Sequence, residues 1–180
     1  MDMEEILVRK EREADYEKID TIPTKTFGHA VEAELISALR RENGYDSDLS
    51  LVAEVGNEVV GHILFTPVTV ENTFEAFKAV ILAPLAIDDN YQGKGIGGKL
   101  IQAGIEIVKL KGFKIVLVSG HSYYDKFGFQ ITKQIMRPNP VRGKHIRVLE
   151  LEKGASENVI GVIKYPKAFK PTISEWDNQL

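Results

Sequence analysis

The sequence predicts a single α/β domain built on a mixed, mostly antiparallel central sheet flanked by helices, and three observations carry that expectation. Residues 49–55 and 59–70 are apolar runs joined across Gly56-Asn57-Glu58, turn residues that make them a β-hairpin, so the sheet starts antiparallel. Residues 79–87, 96–111 and 114–119 read as strand, helix and strand, and the crossover rule makes the two strands a parallel pair. Between the first of these strands and its helix lies Gln92-Gly93-Lys94-Gly95-Ile96-Gly97-Gly98-Lys99. A loop this rich in glycine, followed by the unpaired amides and positive dipole end of a helix, is built to hold phosphate.

In chain order, residues 6–10 form a short first strand and residues 14–19 a polar helix. Residues 31–42 form an amphipathic helix with Leu35, Ile36 and Leu39 on one face and Asn43-Gly44 as its stop. After the hairpin, the strand at 79–87 contains Pro84, which has no N–H to give a ladder and reads as a bulge that re-aims the strand. On the helix at 96–111, Leu100, Ile101, Ile105 and Val108 make a buried face, while Gly97 and Gly104 permit close approach to the sheet. The strand at 114–119 is buried; Ser122 then caps a short helix at 123–127, which Gly128 ends. Pro138-Asn139-Pro140 breaks the chain before two last strands, 145–151 and 159–164, joined by the polar turn 154–158. The domain spans 1–180 with its core in 6–169, and the polar tail 170–180 is at most partly ordered.

Three kinds of phosphate loop compete for the glycines. Gly93, Gly95 and Gly98 satisfy G-x-G-x-x-G, but a dinucleotide site needs its glycines tight against the strand and an acidic residue roughly 20 positions on. Here Asp88-Asp89-Asn90-Tyr91 intervenes and the next strand ends in Ser119-Gly120 with no acid. Gly93, Gly98 and Lys99 follow G-x-x-x-x-G-K-[ST] until the last position, where Leu100 lacks the hydroxyl that holds Mg²⁺. The third pattern, Q/R-x-x-G-x-G/A, is met by Gln92, Gly95 and Gly97.

With its surroundings, that third pattern resembles the GNAT superfamily of N-acetyltransferases. The run from Leu85-Ala86-Ile87 through Gln92 to Gly97 is similar to the family's motif A, and Tyr124-Asp125-Lys126-Phe127-Gly128-Phe129 to its motif B. Tyr123-Tyr124 and Tyr165-Pro166-Lys167-Ala168-Phe169 resemble the YhbS-like bacterial branch, so the likeness covers nearly the whole chain. It implies a GNAT fold with the parallel strand pair splayed at the cofactor site, acetyl-CoA as co-substrate, no metal, and transfer of acetyl to a primary amine by direct attack in a ternary complex. It implies that the loop Gln92, Gly93, Lys94, Gly95, Ile96, Gly97 and Gly98 holds the pyrophosphate, and that the backbone around Leu85 and Ile87 pairs with the acetyl carbonyl and pantetheine arm. Tyr124 matches the family's general acid to the departing thiolate; a phenol is protonated at neutral pH and can donate. The chain departs from the family at Asp89, where proline is common, leaving the turn looser. It also has Gly120-His121 where an asparagine often supports the coenzyme arm.

The base that takes the amine's proton is open among Glu54, His62, Asp88 and His121, with a water chain as the further option. His121 is favoured because it sits just beyond a strand's carboxyl end and histidine titrates near neutrality. Lys94 and Lys99 offer point charges to phosphate, whereas Lys109 and Lys111 read as a solvated helix face. His29, His62, His121 and His145 show no metal-binding spacing. Residues 26–42, the hairpin and the loop 137–144 are expected to line the acceptor side.

The 180-residue chain has a net charge of −3, so it carries no overall basic field for nucleic acid. It has no cysteine, which excludes disulfides, thiolate metal sites and an acyl-cysteine intermediate. The start is acidic where a signal peptide is basic, and the apolar runs fall well short of the ~20 residues that span a bilayer, so a cytoplasmic protein without membrane partners is expected. The acceptor is expected to be a small-molecule or peptidyl amine, with a homodimer left open. The rival reading from another class is a catalytically silent acyl-CoA-binding sensor, which needs the loop but neither base nor Tyr124.

Overall fold

The computed structural model describes residues 5–139 and 145–178. These residues form β1 (Ile6–Lys10), α1 (Tyr16–Phe27), α2 (Val31–Leu39), β2 (Ser50–Val55), β3 (Glu58–Glu71), β4 (Ala76–Ile87), α3 (Ile96–Leu110), β5 (Ile115–Ser119), β6 (Gln130–Thr132), β7 (Ile135–Met136), β8 (Ile146–Glu150), β9 (Gly161–Lys164) and α4 (Phe169–Asn178). They gather into two compact units, one of Met1–Phe65 with Ala83–Ile107 and the other of Thr66–Leu82 with Val108–Leu180. The strands β3 and β4 and the helix α3 each contribute residues to both units.

In the first unit, β1 pairs antiparallel with β2 from Ile6↔Val55 to Lys10↔Leu51, and β2 with β3 from Ser50↔Leu64 to Val55↔Glu58. The expected hairpin is present, turning at Gly56 with φ 61°. Alternation along β3 sends Gly61 and Phe65 toward α3 and His62 to the opposite face, where it meets Ser50 and Glu11. A Cβ on Gly61 would lie 2.7 Å from Ile87 Cδ1 and 3.2 Å from Leu100 Cδ1. One on Gly104 would lie 2.1 Å from the Phe65 ring, so the close approach expected at this glycine is observed.

The helix read at 14–19 runs much further, because a short 3₁₀ turn at Glu13–Asp15 leads into α1 and α1 continues through Pro23. Pro23 has no N–H for the Ile19 carbonyl, yet Ile19, Ile22 and Pro23 are buried, and Thr21 and Thr24 donate their hydroxyls to the carbonyls four residues back. Tertiary burial outweighs the missing main-chain bond. Gly28, at φ 77°, ends the helix and returns its N–H to Thr24 O. The second helix ends at Leu39 rather than residue 42, because the chain tightens into three-residue steps, Arg41 N–H to Ala38 O and Glu42 N–H to Leu39 O.

In the second unit, β4 and β5 form the expected parallel pair, with Val80 opposite Val116 and Ile81 opposite Leu117. The strands β5 and β8 pair antiparallel over their full length, β6 joins β8, and the far end of β3 pairs antiparallel with β9. The fold class is therefore as expected, mixed and mostly antiparallel. A second parallel pair, β7 with β9, adds to it. Pro84, where a bulge is expected, lies within the continuous strand β4 and follows a cis Ala83–Pro84 peptide bond, and a register slip among the described pairings falls between Ala53 and Glu54. The tail expected to be mostly unordered forms α4 through Asn178, seated by Phe169 and Thr172, both buried. Part of the 137–144 loop, residues 140–144, lies outside the described residues.

The Gly104 contact gives a direct test. Gly104→Ala adds a methyl against the buried Phe65 ring, while alanine gains about 1 kcal/mol of helix propensity. A net loss of up to about 2 kcal/mol in denaturant unfolding is expected, overpacking costing about 1–3 kcal/mol before that gain.

Candidate functional site

The glycine loop is assembled from the end of β4 outward. Asp88 donates its main-chain N–H to Val60 O at 2.8 Å, and its carboxylate accepts the Asn90 N–H at 3.0 Å, capping a 3₁₀ turn at Asp89–Tyr91. Gln92 then folds back: its Nε2 donates to Ile87 O at 3.1 Å and to Asp89 Oδ1 at 2.9 Å. Asp89 therefore closes the turn by accepting from Gln92, and the looser turn expected from the missing proline is not what forms. Leu85 and Ile87 are half-buried at this end of β4.

Past the turn, Gly93 and Gly95 take φ values of 73° and 80°, and a Cβ on either would meet nothing within 4 Å. Glycine is needed at these two positions for the left-handed backbone rather than for space. The helical ladder of α3 opens with Lys99 N–H to Gly95 O at 3.1 Å, so the amides of Ile96, Gly97 and Gly98 precede it at the positive end of the helix. Gln92, Gly93, Lys94 and Gly95 are exposed, whereas Ile96 and Gly97 are buried and anchor the loop's far end. Lys94 places its Nζ 4.8 Å from the centre of the Tyr91 ring, and Lys99 is exposed. An exposed run of amides beside two lysines suits an anion.

The other expected site residues belong to the second unit. After β5, Gly120 at φ 109° donates to His145 O, and residues Ser122–Phe127 form a 3₁₀ helix rather than an α-helix. His121, not Ser122, holds the cap position, and its exposed side chain makes no capping bond. Gly128 ends the turn at φ 92° as expected. Arg147 of β8, buried, donates to Asp125 Oδ1 at 2.6 Å and to Gly120 O, and so fixes the segment at both ends. Sequence reasoning missed Arg147, which lies in an ordinary strand alternation. The Tyr124 ring packs edge-on against Tyr123 at 5.4 Å and against buried Phe129 at 5.8 Å. Burial, with a smaller contribution from Tyr123, pushes the Tyr124 phenol up to about 12, which keeps its proton in place as a donor at neutral pH.

Of the four candidate bases, three are engaged. Glu54 is held by Arg9, whose guanidinium reaches Glu54 at 2.7 Å and Asp15 at 2.7 Å. The Asp88 carboxylate caps its turn. His62 is fully buried: its Nε2 lies 2.8 Å from Ser50 Oγ and 3.9 Å from Glu11 Oε2, and its Nδ1 has no hydrogen-bond partner among the described residues. Glu11 is bound by Arg40 at 2.7 Å and by the Tyr45 hydroxyl. Burial opposes its charge, but the bonds from Arg40, Tyr45 and Ser50 outweigh that and keep its carboxyl below the usual range. Among the described residues, no three His, Cys, Asp or Glu side chains gather as a metal site. No described helix is long and apolar enough to cross a membrane.

His62 carries a pH prediction. Burial lowers its pKa from 6.5 to about 4, against the pull of Glu11, so the unfolded chain takes up a proton that the folded imidazole refuses. Its contribution to stability is complete above pH 6.5 and declines as pH falls toward 4, at up to about 1.4 kcal/mol per pH unit. Glu11, with its lowered pKa, acts in the lower window, below its ordinary value of 4.5. Denaturant unfolding at pH 7, 6 and 5 is expected to show this decline, and His62→Gln to flatten it; an equal slope in both proteins contradicts it.

Comparison with known proteins places this geometry. The chain matches the acetyltransferase (GNAT) family over residues 13–129. It is 38% identical over 136 residues to the uncharacterized N-acetyltransferase YjhQ of Escherichia coli, covering 73% of this chain and 75% of that protein. It is 30% identical over 168 residues to the uncharacterized N-acetyltransferase YhbS of the same organism, covering 91% and 98%. The crystal structure of E. coli YhbS in complex with CoA superposes with a TM-score of 0.83 and covers 93% of each chain. A GNAT family acetyltransferase from Brucella melitensis in complex with acetyl-CoA gives 0.76 at 28% identity, covering 93% of this chain and 100% of that one.

Proposed function

The chain belongs to the acetyltransferase (GNAT) family, and from that premise we propose that it moves the acetyl group of acetyl-CoA to the nitrogen of a primary amine, small-molecule or peptidyl. The observation that carries this reading is the loop from Gln92 to Gly98, with its left-handed glycines and its amides ahead of the helical ladder. The pyrophosphate is assigned to these amides, with Lys94 and Lys99 adding charge. The CoA and acetyl-CoA bound by the YhbS and Brucella proteins support the same ligand here. The thioester and pantetheine arm are assigned to the main chain around Leu85 and Ile87, beyond the last described β4–β5 pair at Ile81.

The reaction needs no covalent enzyme intermediate, and the chain has no cysteine to form one. In the proposed ternary complex the amine lone pair attacks the thioester carbonyl carbon, the C–N bond forms and the C–S bond breaks. The departing thiolate takes the phenolic proton of Tyr124. The proton shed by the amine goes to His121, directly or through water; of the four candidate bases, it alone is exposed, and its side chain makes no capping bond.

Calorimetry with acetyl-CoA, ATP and NAD separately tests the ligand. Acetyl-CoA is expected to bind, and Gly95→Asp, which sets a negative charge and a Cβ in the anion site, to abolish that binding. Binding of ATP or NAD without acetyl-CoA would overturn the assignment. The acceptor is sought by screening polyamines, aminoglycosides, amino acids and peptide N-termini for thiol release. On the best of these, Tyr124→Phe is expected to lower turnover by about 10²–10⁴ with coenzyme affinity retained. Unchanged turnover would leave Tyr124 a packing residue.

A further inference from the structure

Helix α1 carries three threonines, and one of them behaves differently from the other two. Thr21 donates to Glu17 O at 2.8 Å and Thr24 to Asp20 O at 2.7 Å, the back-bond a helical threonine makes to the carbonyl four residues earlier. The hydroxyl of Thr26 instead leaves its helix and donates to Ile87 O, the last carbonyl of β4, at 3.1 Å. That oxygen also accepts Gln92 Nε2 at 3.1 Å, and the same amide nitrogen donates to Asp89. A carbonyl has two lone pairs, so both donors are accommodated and its capacity is filled. One oxygen therefore joins the final turn of α1 to the closing bond of the glycine loop.

The loop depends on such an anchor. Gly93 and Gly95 are exposed, lie in the left-handed backbone region that favours glycine, and have no neighbour within 4 Å of a Cβ position. No side chain packs at these positions, so the amides take their position from the two ends, the far one through Lys99 N–H to Gly95 O. The far end is held by buried Ile96, and the near end by the turn closed on Ile87 O.

We propose that Thr26 is a positioning residue for the coenzyme loop, acting through the Ile87 carbonyl and Gln92 to set the place of the amides at 93–98. The proposal rests on the assignment of that loop to acetyl-CoA. Thr26 itself touches neither coenzyme nor reacting atoms in this role. Its location on α1 also means that a change at the end of this helix is felt at the loop.

Three measurements on the full chain test it: the acetyl-CoA dissociation constant by calorimetry, the thermal midpoint, and amide hydrogen exchange across 93–98 without coenzyme. Thr26→Val keeps the shape and removes the donor; Thr26→Ser keeps the donor. Thr26→Val is expected to weaken acetyl-CoA binding about three- to tenfold, the worth of one hydrogen bond, and to speed exchange at 93–98 more than elsewhere in the first unit. Thr26→Ser is expected to restore both. Unchanged affinity and exchange in Thr26→Val would overturn the proposal. So would a Thr26→Ser protein as impaired as Thr26→Val, or exchange that rises evenly across the unit with a matching fall in thermal midpoint. If the unaltered protein binds no acetyl-CoA, the coenzyme assignment fails separately, and exchange still decides: faster at 93–98 in Thr26→Val supports positioning, unchanged overturns it. Should Thr26→Val not fold, Thr26→Ala carries the same comparison.

Discussion

Helix α3 can lie against β3 only where side chains are missing. Gly61 leaves the room that Ile87, Ile96 and Leu100 fill, and Gly104 leaves the room that the Phe65 ring fills. A methyl at either position would stand closer to its neighbours than van der Waals contact allows. With the helix drawn in, Ile96 is buried at its first turn, and the amides just before the ladder are fixed in direction. The proposed anion site thus depends on the packing of the helix that follows it. The chain uses glycine in two separate ways: Gly61 and Gly104 give space, whereas Gly93 and Gly95 give a backbone conformation.

A second constraint is the burial of charge on the other face of β3. Glu11, Ser50 and His62, all buried, form a network with the half-buried Arg40 and Tyr45, and Arg9 joins Asp15 and Glu54 nearby. Such pairs add little net stability over apolar replacements, since desolvation consumes most of the attraction. They do demand specific partners. Arg40, whose guanidinium also stacks on the Tyr16 ring at 3.7 Å, meets Glu11 only if α2 is seated in one position. The network thereby holds the helices in register with the strand beneath, while His62 serves as a neutral member of it.

What was legible in the chain was what neighbouring residues encode. The hairpin at Gly56, the parallel pair flanking α3, the glycine spacing and the stop at Gly128 all follow from local chemistry, and the structure keeps them. The length of α1 was not legible, because its continuation past residue 19 runs through Pro23 and rests on the burial of Ile19 and Ile22. The same is true of α4, whose sequence is polar but whose Phe169 finds a buried seat. At the site, residue identities were readable and their engagements were not. Asp89 was read as a flaw in the turn and proves to be its latch, and His62 looked like any imidazole until its strand was seen to be covered on both faces. Arg147 left no local sign, since its purpose depends on β8 lying beside β5.

The division of the chain into two units has a consequence for its synthesis. Neither unit is a continuous segment: the first takes Met1–Phe65 and Ala83–Ile107, and the second takes the stretch between them and everything after. As the polypeptide leaves the ribosome, the first unit lacks its glycine loop and most of α3 until Ile107 has emerged. Its early strands and buried charges must wait through the synthesis of a β-hairpin arm that belongs to the other unit. Domains are generally completed from the N-terminus during translation at about 5–20 residues per second, so this wait lasts seconds, long enough for nascent-chain chaperones to compete for the exposed apolar face of β3.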